Sequence, residues 1–271
     1  MDKQRRQELG AAAVVSAALT GLVLLVNALA GPGQQDADAI PAQEPIQVFP
    51  DFASIQDVEI KKQQFFDYLQ DYIDARNAEV AQRREQLQAY AAAITDGGSL
   101  SRIELDRLQQ LADMYRLDME NSTESAAEMI QTLLNRVDVI PTSLVLAQAA
   151  NESAWGTSRF TLEGFNLFGQ WCFEEGCGIV PRQRAAGAIH EVKRFESIQR
   201  AIDSYFLNIN THHSYRFFRD LRAQMRAQER QLNSVVLAFG LGRYSERGGN
   251  YIDEVQNIII QNELTERDSV H

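Results

Sequence analysis

The sequence predicts a mainly α (α+β) chain: a helical body carrying a small antiparallel β lobe, preceded by a further set of helices. Three observations predict it. Apolar residues recur at helical spacing along most of 58–137 and again along 198–264. Residues 141–160, PTSLVLAQAANESAWGTSRF, contain a helix apolar on nearly every side, and such a helix is buried. Between the helices, 165–195 is punctuated by Gly169, Gly176, Gly178, Pro181 and Gly187 into short runs.

The elements follow in order. Residues 1–30 read as a targeting segment. Lys3, Arg5 and Arg6 precede an almost wholly apolar stretch from Gly10 to Leu29, and Ala28-Leu29-Ala30 before Gly31 is an A-x-A cleavage site. An uncleaved run of about 20 apolar residues also spans a bilayer. The segment is therefore a signal peptide, the preferred reading, or an N-in membrane anchor. Either way the body is exported, to the periplasm or cell envelope. Residues 31–57, rich in Pro, Gln, Asp and Ala without a period, read as a linker.

Residues 58–94 form one long helix with Phe65, Phe66, Leu69, Tyr72, Ile73, Val80, Leu87 and Tyr90 on its apolar stripe. The stripe keeps no strict heptad, which favours packing on its own domain over a coiled-coil arm. Ser101-x-x-Glu104 is a capping box opening a second helix through Leu105, Leu108, Leu111 and Tyr115. A third buries Met129, Ile130, Leu133, Leu134 and Val137. The helices ahead of Pro141 read as an extension, 58–120 by its bounds, folded back on a body at 121–265.

In the buried run, Pro141 sets the helix start, Thr142 and Ser143 are candidate N-caps, and Gly156 is the stop. Glu152 then sits in the last turn, where the helix dipole and burial both disfavour a carboxylate. Trp155, three residues on, is expected on the same face as a wall against water. All three effects raise the carboxyl above its unperturbed value of about 4.3. A glutamic acid kept protonated near neutral pH suits general acid catalysis. The plainer alternative is a helix-end glutamate bonded to an arginine.

The runs GQWCF, GIVPRQ and AIHEVKRF read as three short strands, with 179–184 as the middle one in sequence. Cys172 and Cys177, in an exported chain, read as a disulfide clipping a turn. A metal half-site lacks completing ligands, so no metal and no cofactor is expected. Ile198, Ala201, Ile202, Tyr205, Phe206 and Ile209 keep the helical pattern without a miss and read as core. His212-His213 read as surface or glycan-contacting residues. The helix 215–231 carries Arg216, Arg219, Arg222, Arg226 and Arg230, taken as a solvated face in preference to a site for anionic wall polymers. Helices at 234–239 and 250–264 close the chain, and between them GRYSERGGNY is a loop able to reach back over a cleft. The net charge of −11, from 37 acidic and 26 basic residues, argues against a nucleic-acid partner but not against an uncharged glycan.

NESAWGTSRF followed by Asn166-Leu167-Phe168-Gly169, with NLFGQWCFEEGCGIVPRQR, HEVKRFES and RYSERGGNYIDEV in the same order, resembles the bacterial glucosaminidase family. These are peptidoglycan hydrolases with a mannosyl-glycoprotein endo-beta-N-acetylglucosaminidase-like domain (glycoside hydrolase family 73), and the blocks resemble most its Bax-type branch. The likeness covers roughly 121–264. It implies a lysozyme-like architecture, peptidoglycan glycan strands as the partner, and Glu152 as general acid. It also implies that Tyr244, the first tyrosine of the closing motif, faces the catalytic centre. Trp155 and Phe168 offer flat faces for sugar rings, Asn166 a polar anchor, and Tyr251 is a further substrate-binding candidate; the alternatives are core packing for Phe168 and a turn-forming side-chain hydrogen bond for Asn166. In relatives the second carboxylate comes from the strand lobe, yet 179–184 holds no acid. Glu175, Glu174 and Glu191 stay open as candidates, beside assistance from the substrate's own 2-acetamido group. The reading is an endo-acting N-acetylglucosaminidase. The alternatives are a non-catalytic envelope glycan-binding or scaffold protein, and an amidase of the peptide stem, whose usual zinc ligands are not visible.

Overall fold

The computed structural model describes residues 49–117, 125–182, 184 and 187–268. The targeting segment and most of the linker lie outside the described residues. The last linker residues do not: Phe52–Ser54 form a 3₁₀ turn and Phe52 is buried. The described part belongs to one unit, Val48–His271, so the helical extension and the body share a core.

Helix α1, Val58–Thr95, starts where the Asp57 carboxylate accepts from the backbone of Glu59 and Ile60. Its expected stripe is buried from Phe65 to Tyr90, with Tyr72 half-buried. Helices α2, Arg102–Met114, and α3, Ala126–Arg136, both open with complete capping boxes, Ser101 with Glu104 and Ser125 with Glu128. Helix α4, Thr142–Ser153, is the buried one: Thr142 through Ala150 are all inaccessible to solvent. A short α5, Arg159–Gly164, leads to the lobe, and α6, Ile198–Thr211, leaves it. Helices α7, Arg216–Ala227, α8, Ser234–Leu237, and α9, Gly249–Gln261, complete the body. Helices α1, α8 and α9 and the turn Leu264–Arg267 surround α4. This is the mainly α architecture with a small lobe that the resemblance implied.

The start of α4 differs from expectation. Pro141, at φ −48°, takes the cap position itself, so Thr142 and Ser143 fall inside the helix and neither side chain caps it. The Asp268 carboxylate caps it instead, accepting from the Ser143 N–H at 2.8 Å and its hydroxyl at 2.7 Å, across 125 residues of sequence.

The lobe is a three-stranded antiparallel sheet of β1, Trp171–Cys172, β2, Gly178–Ile179, and β3, Glu191–Lys193, in the order β1-β3-β2. Trp171 pairs with Val192, and Ile179 pairs with Val192 from the other side. The strand expected through 179–184 thus ends at Ile179 and lies at an edge. Pro181 has no N–H to extend a ladder. Gly178 is required where it stands, since a Cβ there would lie 2.1 Å from the Val192 carbonyl oxygen.

Helix α7 also corrects the sequence reading. Arg222 is 1% exposed and Arg219 5%, so these two leave the expected solvated face, while Arg216 and Arg230 stay exposed on it. Arg222 donates to the carbonyls of Asp138, Val139 and Asn135 and to the Asn210 side chain. Arg226 grips the Asp138 carboxylate with two hydrogen bonds, of 3.2 and 2.9 Å, and Arg84 of α1 approaches it at 3.5 Å. An i, i+4 spacing of arginines looks solvated in a sequence only because its buried acidic partner is 84 residues away. Burial opposes the Asp138 charge, but Arg222, the Arg226 hydrogen bond and Arg84 together hold its carboxyl below the usual range. Removing one member leaves buried arginines without a counter-charge. We expect Asp138→Ala to lose about 3–5 kcal/mol of stability, measured by urea denaturation. An unchanged midpoint would mean that the network does not hold α1, α3 and α7 together.

Candidate functional site

The site forms where α4 ends. Ala154, Trp155 and Gly156 are consecutive left-handed residues, at φ 51°, 59° and 76°. The helix therefore stops at Ser153, earlier than Gly156, and Trp155 leaves the face that helical spacing assigned to it. Its half-buried ring packs edge-on against Phe66 at 5.3 Å and Phe65 at 6.0 Å, and Lys62 caps it at 5.7 Å.

Glu152 keeps its expected place in the last turn. Its Oε1 is buried and has no hydrogen-bond partner. Its Oε2 lies 3.1 Å from where a Cβ on Gly169 would be, so the Asn166–Gly169 turn closes on the carboxyl as only a glycine at φ 63° allows. Burial raises the Glu152 carboxyl above the ordinary glutamate range. Hydrogen bonding from Tyr251 and the Arg247 charge work against the rise, and Glu254 adds to it.

Helix α9 supplies the flank. Gln148 Nε2 donates to the Tyr251 hydroxyl at 2.8 Å, and Asn151 Nδ2 to Glu254 Oε2 at 3.3 Å. Residues three apart on α4 thus meet residues three apart on α9, so the two helices run parallel and in register. The Tyr205 hydroxyl donates to Gln148 Oε1. Tyr244 stacks on Tyr251 at 5.4 Å and donates to the Phe168 carbonyl at 2.7 Å. Tyr215 lies 5.9 Å from Tyr244, ring to ring. Burial, reinforced by the Glu152 charge, raises the phenols of Tyr205, Tyr244 and Tyr251, and that of Tyr215 to about 12. These tyrosines are neutral donors around one acid.

The other expected residues sit elsewhere. Asn166 is buried, and its amide donates to Gln170 O and Lys193 O while its oxygen accepts from Phe168 and Gln170. It ties the turn to β3 and has no capacity left for a sugar. Phe168 is buried and stacked on Tyr205 at 4.2 Å, behind the site. Glu191 is 5% exposed, and its two oxygens accept from the N–H groups of Gly176 and Gly178. Those backbone bonds lower its carboxyl, which staples the turn closed by the Cys172–Cys177 disulfide. Glu174 and Glu175 are exposed in that turn. Two flat rings are exposed on the lobe, Phe173 and Trp171, the latter stacked on His190 at 4.3 Å. Among the described residues no His, Cys, Asp and Glu group is arranged to hold a metal.

Sequence reasoning missed Gln148, Tyr205, Tyr215, Arg247 and Glu254. Gln148 had a signal, as the lone polar residue in an apolar helix. Tyr205 sits in a flawless core pattern, which hides the hydroxyl. Arg247 pairs with Glu254 and lies over the Tyr251 ring at 5.3 Å. Losing its cation removes an influence that lowers the Glu152 carboxyl and unmasks Glu254, which raises it. An activity that needs protonated Glu152 falls as pH rises through that pKa. Arg247→Gln is therefore expected to carry the alkaline limb of the pH–rate profile to higher pH, and a limb moved to lower pH would contradict this electrostatic picture.

Residues 127–264 match the family described as mannosyl-glycoprotein endo-beta-N-acetylglucosaminidase. The chain is 32% identical over 191 residues to Protein bax of Escherichia coli (strain K12), across 70% of this chain and 66% of that protein. No solved structure gave a significant match.

Proposed function

Because the chain belongs to the glucosaminidase family, we propose that it is a peptidoglycan hydrolase that cleaves the glycan strand at N-acetylglucosamine linkages, with Glu152 as general acid. The observation that carries this is Glu152, whose Oε1 is buried without a hydrogen-bond partner and whose carboxyl burial raises above the ordinary glutamate range. A buried carboxyl oxygen left without a partner is costly unless something completes it, and a glycosidic oxygen does. In the step proposed, the bond from the anomeric carbon to that oxygen breaks, and the Glu152 proton passes to the leaving sugar.

The group that supports the anomeric carbon is less obvious. Glu191 already accepts two backbone hydrogen bonds, and Glu174 and Glu175 are solvated. These placements favour the substrate's own 2-acetamido oxygen, which bonds to the anomeric carbon as the leaving group departs. Water then opens that intermediate while ionised Glu152 takes its proton. The Tyr244 phenol orients the acetamido group, with the buried Tyr251 stacked behind it, and the exposed Trp171 ring offers a stacking surface for a sugar. The targeting segment at 1–30 supports export to the cell envelope.

Mass analysis of products from purified muropeptides tests the reading. Wild type should release glycan fragments with reducing N-acetylglucosamine ends. Glu152→Gln should fold normally and lose this activity by several orders of magnitude; release of free peptide stems instead would identify an amidase. Tyr244→Phe should lower turnover about a hundredfold, or roughly 3 kcal/mol, and more than Glu174→Gln, Glu175→Gln or Glu191→Gln. One of those glutamate variants proving as inactive as Glu152→Gln, with Tyr244→Phe near wild type, would establish a two-carboxylate mechanism.

A further inference from the structure

Residues ahead of the family region reach the catalytic helix. Phe49 and Phe52 lie more than seventy positions before residue 127, where the family match begins, and Phe65 and Phe66 more than sixty. Phe52 is 1% exposed and stands edge-on to Phe49 and Phe65, each 5.4 Å away. This row of rings continues into Trp155 through Phe65 and Phe66. It also presses on Gly156: a Cβ there would lie 2.7 Å from Phe52 Cδ2 and 3.1 Å from the Phe49 ring.

The segment under that pressure is strained. Ala154 and Trp155 both take left-handed backbone angles that side-chain-bearing residues avoid, and surrounding contacts have to hold them there. Local bonds close the turn: the Ala154 and Trp155 N–H groups donate to the Ala150 carbonyl, Trp155 at 2.9 Å, and the Thr157 hydroxyl donates to the Ala154 carbonyl at 2.7 Å. The Ser153 hydroxyl accepts from the Gly156 N–H at 2.8 Å, and Ser158 N–H donates to the Ser153 carbonyl at 2.9 Å. Those bonds close the turn on Ser153, the neighbour of Glu152. The aromatic row packs against that turn, and the turn lies where α4 stops. Glu152 lies one residue before that stop, with Oε2 already at contact distance from the Gly169 turn.

We infer that Phe52 and its ring neighbours, on the segment ahead of the family region, are positioning residues for Glu152: they hold Trp155 and Gly156 in the left-handed turn that fixes the end of the catalytic helix. The inference rests on Glu152 being the proton donor. On this view the N-terminal extension is a working part of the active site. A displacement of about 1 Å remote from the chemistry costs on the order of a hundredfold in rate, and such a loss falls on kcat while KM changes little.

The test uses the full chain with Phe52→Ala and the conservative Phe52→Leu, assayed on purified glycan strands. Phe52→Ala should lower kcat about a hundredfold with KM retained. Water reaching Glu152 should also move the alkaline limb to lower pH. Phe52→Leu should restore most of both. Fluorine NMR of the fluorotryptophan-labelled chain should show the Trp155 resonance broadened or shifted in the alanine variant. A variant of lowered melting temperature but intact kcat and pH profile would overturn the inference, leaving the row a core contact only. Phe49→Ala, at the half-buried end of the row, carries the same expectations should Phe52→Ala fail to fold. Wild type inert on every wall substrate would defeat the hydrolase reading separately. The positioning claim is then judged by NMR titration of the Glu152 carboxyl, where equal midpoints in wild type and Phe52→Ala would reject it.

Discussion

A helix buried on all sides has to have both of its ends satisfied by other parts of the chain, and α4 imposes that constraint on everything around it. Four amides at the start of any helix and four carbonyls at its end lack partners within it. At the start of α4, Asp268 accepts from Ser143, and Asp74 accepts from the Thr142 hydroxyl at 2.6 Å. At its end, the left-handed turn brings the Ala154 and Trp155 N–H groups to the Ala150 carbonyl and the Ser158 N–H to that of Ser153. Along its sides, Gln148 is the only polar residue between Leu144 and Ala150, and two tyrosines hold it. Among the buried side-chain polar atoms of α4, Glu152 Oε1 has no hydrogen-bond partner.

Asp138 plays the corresponding part for the extension. It sits between α3 and α4, and arginines from α1 and α7 converge on it. A buried ionic cluster of this kind adds little net stability over a hydrophobic replacement, yet breaking it is costly. It specifies which helices meet, and it lets the family region and the residues before it share one core. Phe52 and Phe65 then reach Trp155 through that shared core.

Much of the helical part was legible because it follows period and caps. The stripes of α1 and α6, both capping boxes and the setting of Glu152 stand in the sequence itself. What was not legible depends on partners distant in the chain. The arginines of α7 read as solvated because Asp138 is remote in sequence. Trp155 was assigned to the Glu152 face because helical spacing was carried past Ser153, and no local residue announces left-handed angles at an alanine and a tryptophan. Asn166 was marked as a sugar anchor, but four hydrogen bonds within the lobe use all of its polar capacity. The strand through 179–184 ran on only in the sequence pattern, and Pro181 ended the pairing. Glu254 escaped notice since its importance comes from the parallel register of α4 and α9, which no single segment encodes.

The Asp268 cap has a consequence for the order in which the molecule is built. A chain made from its N-terminus exposes α4 as soon as residue 153 has emerged, but the acid that completes its first turn arrives 125 residues after Ser143. Arg267 beside it reaches back still further, to Asp67. Until then α4, buried along nearly its whole length in the finished fold, has neither its cap nor its packing partner α9. Closure is therefore a late event that depends on contacts of long sequence separation, which are slow to form.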